Sequence, residues 1–461
     1  MINFNNKTIG IWGLGIVGKS VIEYLHSQNH TLTVMDRKPL TTEEHSFLTT
    51  KKISYILQDN IQEFLENNNY IIASPGIDLR AYSHYQHKFI SELDIFATSW
   101  AKPVVAITGT IGKTSITHIL SQLLTSSGKQ VITGGNIGTG ILDLIKHQET
   151  ADCAVLELSS FQLENSTQLA PDLAIWTNLF PNHLDRHGTV EDYFLAKYAL
   201  LKYQKNNQQV LVPHELAQQV RRQAATADRP CAFFSLNKPE LCFVNPQDLY
   251  YYFDTSNNIV RHDNKNSTII CTSNTIPEIS YPINWLIIFA ALDLLHVPIN
   301  LSQLQTLELP DHRLDLVGTN KSIEFYNDSK STIMESTVAA VEKLKKLAPD
   351  KPIILLLGGL SKDVDRAPYI KQLKSLVSKI VCFGLEANSL YNFCTQEQIP
   401  AVACVTLEQA FAASLANKSP EVCILFSPGG SSYDLFKDYQ QRGERFKQLV
   451  QNYLQESIQH V

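Results

Sequence analysis

Three times along the chain, a short apolar run ends in a turn containing Gly or Pro and gives way to a helical pattern. This succession restricts the fold more than any other feature. The run reads as a strand and the pattern after it as an amphipathic helix; repeated, they make βα units on a parallel sheet. The first block opens with Thr8–Trp12, a glycine turn, an amphipathic stretch from Val17 to Gln28, and Thr31–Met35. It closes with Tyr70–Ala73 running into Ser74-Pro75-Gly76. The second opens with Val104–Thr108, a Gly109–Lys113 turn and a helix through Ser126, then continues with Val155–Leu158 and Ala174–Thr177. The third holds Ile323–Tyr326, Ile353–Leu357, Ile380–Phe383 and Val422–Phe426, the last three each followed by glycine turns. Seams fall near Trp100–Pro103 and Leu309–Pro310. The stretch from Gln204 to Ser280, rich in Asn, Gln and aromatics, reads as a small β-rich excursion before the apolar helix Ile283–Leu295. Glu66–Asn69 and Asp254–Ser267 read as solvated turns. On parallel sheets, ligands sit at the carboxyl edges of the strands, so the turns there carry the functional reading.

Composition narrows the class. A net charge of −6 on 461 residues is the wrong sign for coating nucleic acid or an anionic membrane. With 18% charged and 44% hydrophobic residues, the chain has apolar surface enough for real cores. The longest apolar run, Trp285 to Leu292, is too short to span a membrane, and Met1–Lys7 lacks the apolar core of a secretory signal. The eight cysteines form no CxxC pair, and Cys153, Cys382 and Cys423 sit inside apolar runs as small hydrophobes. A cytoplasmic, monomeric protein is expected.

Gly13-Leu14-Gly15-Ile16-Val17-Gly18 follows a strand, opens a helix, and is trailed by Asp36 at the end of the next strand. Glycines there let the backbone approach a diphosphate, and the acid can take a ribose hydroxyl. Alone, the turn suggests a nicotinamide dehydrogenase, and a βα turn that binds nothing can look the same. Gly109-Thr110-Ile111-Gly112-Lys113-Thr114-Ser115 is more specific: its amides and Lys113 can surround the β- and γ-phosphates, and Thr114 offers a hydroxyl to Mg²⁺. It is shorter than the general GxxxxGK[ST] loop. Glu157 ends an apolar strand, where a buried carboxylate wants a cation; an N-cap or a surface glutamate is the alternative. Past the next strand, His183 stands with Asp185, Arg186 and His187. A lone histidine is more often structural, and this company favours a functional one. By spacing alone, Lys197 reads as a solvated helix lysine.

With these motifs in hand, the chain resembles the Mur ligases, ATP-dependent amide-bond enzymes of peptidoglycan synthesis, from Gly13 to Arg445. The strings Glu157-Leu-Ser-Ser-Phe-Gln-Leu-Glu164, Asn327-Asp-Ser-Lys330, Leu357-Gly-Gly-Leu-Ser-Lys362 and Ser427-Pro-Gly-Gly-Ser-Ser-Tyr-Asp434, with Gln441-Arg-Gly443 beyond, are similar to the branch that adds D-glutamate. The resemblance implies an α/β fold of three domains. Residues 1–100 would be a Rossmann-like domain for the UDP substrate, and 101–309 a P-loop ATPase-like central domain with a parallel sheet. Residues 310–461 would be a Rossmann-like domain that takes the amino acid and closes over ATP.

The resemblance also implies the substrates UDP-N-acetylmuramoyl-L-alanine, D-glutamate and ATP, and an acyl phosphate between them. Gly13, Gly15, Ile16, Val17, Asp36, Arg37, Ser74, Pro75 and Gly76 would hold the UDP part, with Asn136 near the reacting carboxyl. Gly109, Thr110, Gly112, Lys113, Thr114, Ser115 and Asn284 would hold ATP, joined by His312, Arg313, Asn327, Asp328 and Lys330. Thr114, Glu157, His183 and Lys197, the last as a CO₂-derived carbamate, would serve two Mg²⁺ sites, with Lys113, Glu157, His183 and Lys197 the catalytic set. Thr332, Lys362, Ser432, Tyr433 and Tyr439 would surround D-glutamate.

Four departures stand out. Ile111 replaces an Asn of the family's loop, removing one polar contact while the amide cradle can survive. Tyr433 and Tyr439 replace an aliphatic residue and a phenylalanine. Gly429-Gly430 replaces bulkier small residues and is expected to loosen its loop. Other readings are a superfamily ligase for another amino acid or for folate, an NAD(P)-dependent oxidoreductase, and a lapsed nucleotide-binding regulator. The oxidoreductase leaves the Lys113 loop unexplained, and the intact Lys113, Glu157, His183 and Lys197 set speaks against the regulator.

Overall fold

The βα pattern resolves into three sheets. The computed structural model describes residues 2–277, 280–298, 300–416 and 421–459. The first sheet has four parallel strands in the order Ser54–Leu57, Thr31–Asp36, Thr8–Trp12, Tyr70–Ala73. Four of the five residues of Thr8–Trp12 are buried, as a continuous apolar run flanked on both sides requires.

The second sheet has nine strands. Val104–Thr108 lies at its heart, buried at all five positions between Leu173–Trp176 and Cys153–Glu157, with Val131–Gly135 at one edge. The stretch after Gln204 is a correction to the sequence reading. It is no separate excursion but the other half of this sheet. Gln209–Pro213, Ala232–Asn237 and Leu249–Phe253 continue it in parallel; Ile259–His262 and Ser267–Cys271 finish it antiparallel. Residues 278 and 279 of that stretch lie outside the described residues. Helix Pro282–Leu294 is apolar all round because it is covered all round: Trp285 through Leu292 are buried against these strands and helix Lys113–Ser126.

The two stretches read as turns are also more ordered. Glu66 and Asn67 end a helix from Ile61, Asn68 is buried with its amide on Phe64 O at 2.8 Å, and Asn69 Oδ1 accepts from Thr8 N at 3.0 Å. Asp254–Ser267 contains the strand Ile259–His262 between two tight turns.

The third sheet runs Asp315–Asn320, Ile323–Asn327, Val422–Phe426, Ile353–Gly358, Lys379–Phe383, Ala401–Cys404, parallel except for its first strand. The C-terminal helix Tyr439–Gln459 covers one face, stacking Phe446 on Phe426 at 4.5 Å between centroids. No described helix is long and apolar enough to cross a membrane.

The chain divides into two compact units, residues 1–179 with 191–309, and 180–190 with 310–461. The first two sheets share the first unit, and the helix Glu92–Ser99 before the Trp100 seam binds them. Asp94 accepts hydrogen bonds from Ser166 Oγ, Thr167 N, Thr167 Oγ1 and Gln168 N at 2.8 to 3.0 Å. Glu92 accepts from Gln162 Nε2 at 3.1 Å, and burial pushes its carboxyl up to about 7. The native state therefore keeps a proton that the unfolded chain gives up, and stability falls as pH rises from about 4.5 to about 7. Glu92→Gln removes that penalty. Chemical denaturation should show it more stable than the parent at pH 8, by roughly 2–3 kcal/mol, and close to it at pH 5. Equal effects at both pH values would exclude the buried acid as the cause.

Candidate functional site

Strand Val104–Thr108 delivers the chain into the loop, and Gly112, at φ +86°, caps the helix Lys113–Ser126. An L side chain is strained at that φ, and a Cβ there would also stand 3.0 Å from Asn284 Oδ1, so Asn284 lies against the loop. The loop backbone is held from the neighbouring strand. Thr110 N and Ile111 N donate to Asn178 Oδ1 at 3.1 and 2.9 Å. Ile111 O accepts from Thr177 Oγ1 at 2.6 Å and Asn178 Nδ2 at 3.1 Å.

Two of the loop amides expected to face phosphate are thus turned onto Asn178. The helix's first turn, with Lys113, Thr114 and the buried Ser115, presents its N–H groups and dipole instead. Main-chain anchoring also explains how Ile111 is accommodated. Lys113 Nζ donates to Gly109 O and Thr110 O, both at 2.9 Å, folding the ammonium over the loop. Asn178 carried no signal in sequence beyond its place after a strand. Asn178→Ala should loosen the loop and weaken its binding of a nucleoside triphosphate about tenfold, measured by titration calorimetry; an unchanged affinity would contradict this scaffold role.

Glu157 and Lys197 are each 1% exposed, so neither the surface glutamate nor the solvated lysine of the sequence reading stands. The helix there is capped by Ser159, not by Glu157. Asn136 Nδ2 donates to Glu157 Oε1 at 2.8 Å and Asn136 N to Glu157 O at 2.9 Å, holding the carboxylate at the strand end. Lys197, on helix Val190–Lys202, donates to Gly109 O at 2.8 Å and lies 4.5 Å over the Tyr193 ring. The Tyr193 hydroxyl is 3.3 Å from Thr110 Oγ1. Burial, reinforced by the Lys113 charge and opposed by Glu157, holds the Lys197 amine well below the usual lysine range. Lys113, Glu157 and Lys197 therefore form one neighbourhood around Gly109.

The glycine turn of the first sheet sits at the carboxyl ends of Thr8–Trp12, Thr31–Asp36 and Tyr70–Ala73, with Gly15, Ile16, Arg37 and Gly76 exposed and Val17, Ser74 and Pro75 half-buried. Asp36 Oδ2 accepts from Leu14 N at 2.7 Å and Oδ1 from Lys38 N at 3.2 Å, so the carboxylate braces the turn. Ser74 Oγ donates to Gly13 O at 3.3 Å.

The remaining predicted residues lie in the second unit, His183 among them, since residues 180–190 belong there. His183, at φ +55°, precedes a one-turn helix and its N–H meets Asn182 Oδ1 at 3.1 Å. Asn327 Nδ2 donates to His312 Nδ1 at 3.0 Å and to Gly443 O at 3.1 Å, which leaves the imidazole proton on Nε2, 3.5 Å from Glu444 Oε1. Burial and the nearby Lys447 hold His312 below its usual range. Burial pushes the Asp328 carboxyl up to about 7, while Ser427 Oγ donates to it at 2.7 Å; Arg313 acts on it electrostatically. Lys330 Nζ stands 3.8 Å over the Tyr439 ring, bringing together a residue expected at ATP and one expected at glutamate. Lys362 Nζ donates to Asn182 Oδ1 at 3.3 Å and Thr332 O at 3.4 Å. Ser432 is buried, whereas Tyr433 is 74% exposed.

The Gly429-Gly430 loop is not loosened. A Cβ on Gly430 would fall 2.1 Å from Arg366 Nη2 and 2.5 Å from Gly358 O, so glycine here is a condition of tight packing. Arg442, buried under the same loop, donates to Gly430 O at 2.9 Å and Ser329 O at 2.8 Å. Among the described residues, no group of three or more His, Cys, Asp or Glu side chains is placed to hold a metal.

Three family models match successive parts of the chain. Residues 7–88 match the Mur ligase MurD-like N-terminal domain, 107–284 the Mur ligase middle domain, and 312–430 the Mur ligase glutamate ligase domain. A UDP-N-acetylmuramoylalanine–D-glutamate ligase of Prochlorococcus marinus (strain NATL2A) is 31% identical over 482 residues, covering 97% of this chain and 98% of the relative. Among solved structures, the UDP-N-acetylmuramate–alanine ligase MurC of Thermotoga maritima shares the fold at a TM-score of 0.59 and 16% identity, covering 98% of this chain and 100% of that one. The MurF ligase of the same organism, in complex with ADP, has a TM-score of 0.54 and 16% identity over 87% of this chain and 92% of its own.

Proposed function

The chain belongs to the Mur ligase family, and we propose that it joins D-glutamate to UDP-N-acetylmuramoyl-L-alanine, consuming ATP. The observation that carries this reading is the cluster of Lys113, Glu157 and the buried Lys197 around the Gly109 loop, in a chain that aligns over 97% of its length with a D-glutamate ligase.

A carboxylate is a poor electrophile and must be activated before an amine can take it. One oxygen of the L-alanine carboxylate attacks the γ-phosphorus of ATP, the bond to the β-phosphate oxygen breaks, and ADP leaves. The amine of D-glutamate then attacks the acyl carbon, loses a proton, and inorganic phosphate departs with the C–O bond pair. Lys113 and the first-turn amides of its helix meet the phosphate charge in the first step, where positioning and electrostatics carry most of the acceleration.

Mg²⁺, when bound, supplies further positive charge to the phosphates, and Thr114, Glu157 and Lys197 of the first unit would hold it. The donor set fits. Glu157 is a buried carboxylate kept in place by Asn136, and burial holds the Lys197 amine well below the usual lysine range, which favours the neutral form that adds CO₂ and gives up a proton to become an anionic carbamate. The Gly13–Val17 turn with Asp36, Arg37 and Ser74–Gly76 would take the UDP group. Thr332, Lys362, Ser432, Tyr433 and Tyr439 would take D-glutamate within the second unit. Phosphate release measured with the UDP substrate and a panel of amino acids tests the assignment. Release with D-glutamate alone supports it, and release with another amino acid or a folate moves the chain to another branch of the superfamily.

A further inference from the structure

Among the described residues of the second unit, Arg366 is the most deeply buried cation that the reading above leaves without a task, apart from Arg442, which is fully bonded into its loop. It is 3% exposed; its Nε and Nη1 make no hydrogen bond, and burial lowers its pKa. Nη2 donates to Gly359 O at 2.8 Å, and Nη1 stands 3.7 Å from Glu386 Oε2. The other oxygen of Glu386 accepts from Ser361 N at 2.9 Å and Ser361 Oγ at 3.1 Å. Arg366 and Glu386 thus grip both ends of the turn 359–366. At its apex, Lys362 and Asp363 take φ values of +56° and +59°, a conformation L residues adopt only when their surroundings impose it.

The same guanidinium fills the place where a side chain on Gly430 would stand. Leu360 and Ser431 exchange two main-chain hydrogen bonds of 2.9 Å alongside. The Lys362 turn and the Ser432 loop are therefore one clamped assembly, with Arg366 as its filling.

We propose that Arg366 and Glu386 are positioning residues for the incoming amino acid: their bridge between the Lys362 turn and the Gly430 loop sets the distance between Lys362 and Ser432, and so the fit of D-glutamate. This rests on the D-glutamate reading above. A guanidinium is suited to the role because its planar fork can span two loops at fixed angles, which a lysine cannot copy.

The test is steady-state kinetics of the full chain carrying Arg366→Met or Glu386→Gln, each substrate varied in turn. Both variants should raise the KM for D-glutamate about tenfold or more, leave the KM for ATP within about twofold, and change kcat less than KM. Arg366→Lys should recover only part of the loss. Glu386 is partly exposed and its replacement isosteric, so that variant keeps the proposal testable should Arg366→Met fail to fold. A parent chain active on D-glutamate, with both variants keeping its KM or raising the KM of every substrate together, overturns this inference alone. A parent inert with D-glutamate overturns the functional reading as well.

Discussion

Lys113→Ala is expected to lower ATP-dependent turnover by a factor of about 10²–10³ while the protein stays folded. The ammonium sits at the first position of its helix and bends back to Gly109 O and Thr110 O, at the place where a triphosphate would meet the helix N-terminus. It fills no core cluster, and the loop main chain is anchored separately by Thr177 and Asn178, so the scaffold survives its removal. What disappears is a fixed positive charge that would stabilise the negative charge developing on the phosphates during transfer. Phosphate release and a thermal unfolding curve of the same sample check both halves. Near-parental turnover would refute the nucleotide site, and collapse of the unfolding transition would make Lys113 structural.

Lys197→Ala should lose activity on a similar scale and, unlike Lys113→Ala, should regain part of it when formate, acetate or another short carboxylic acid is supplied. Its amine is 1% exposed, pressed between the Tyr193 ring and Gly109 O beside the Lys113 charge. Burial disfavours an ammonium most, the Lys113 charge adds to that, and the Glu157 carboxylate opposes it. Burial favours the neutral form of the amine, the form that takes up CO₂, and a free carboxylate can enter the space alanine leaves. Depleting CO₂ should slow the parent and leave the rescued variant indifferent. A fully active Lys197→Ala would remove the carbamate from the account.

Much of this architecture could be read from the residues, for a physical reason. Thr8–Trp12, Val104–Thr108 and Val422–Phe426 are strands buried on both faces, so each is an unbroken apolar run stopped by a glycine or proline turn. The half-sheet after Gln209 was legible only as β-rich, because its strands are short and joined by polar turns that say nothing of which neighbour each will pair with. Burial of Lys197 was not legible at all: the Gly109 loop that covers it comes from 88 residues away in the chain. Arg366 and Gly430 are a like case. Neither is unusual alone, and only their contact explains why the loop is glycine there. Asn178 shows the limit from the other side, since a residue that shapes the loop by bonding main-chain atoms leaves no motif of its own.

The most direct measurement supplies purified protein with ATP, Mg²⁺, UDP-N-acetylmuramoyl-L-alanine and D-glutamate, and follows phosphate and the nucleotide-linked dipeptide together. Stoichiometric appearance of both, dependent on D-glutamate and not on L-glutamate, is the predicted result. Absence of both products, or ATP cleavage without the new amide bond, would contradict the account at its centre.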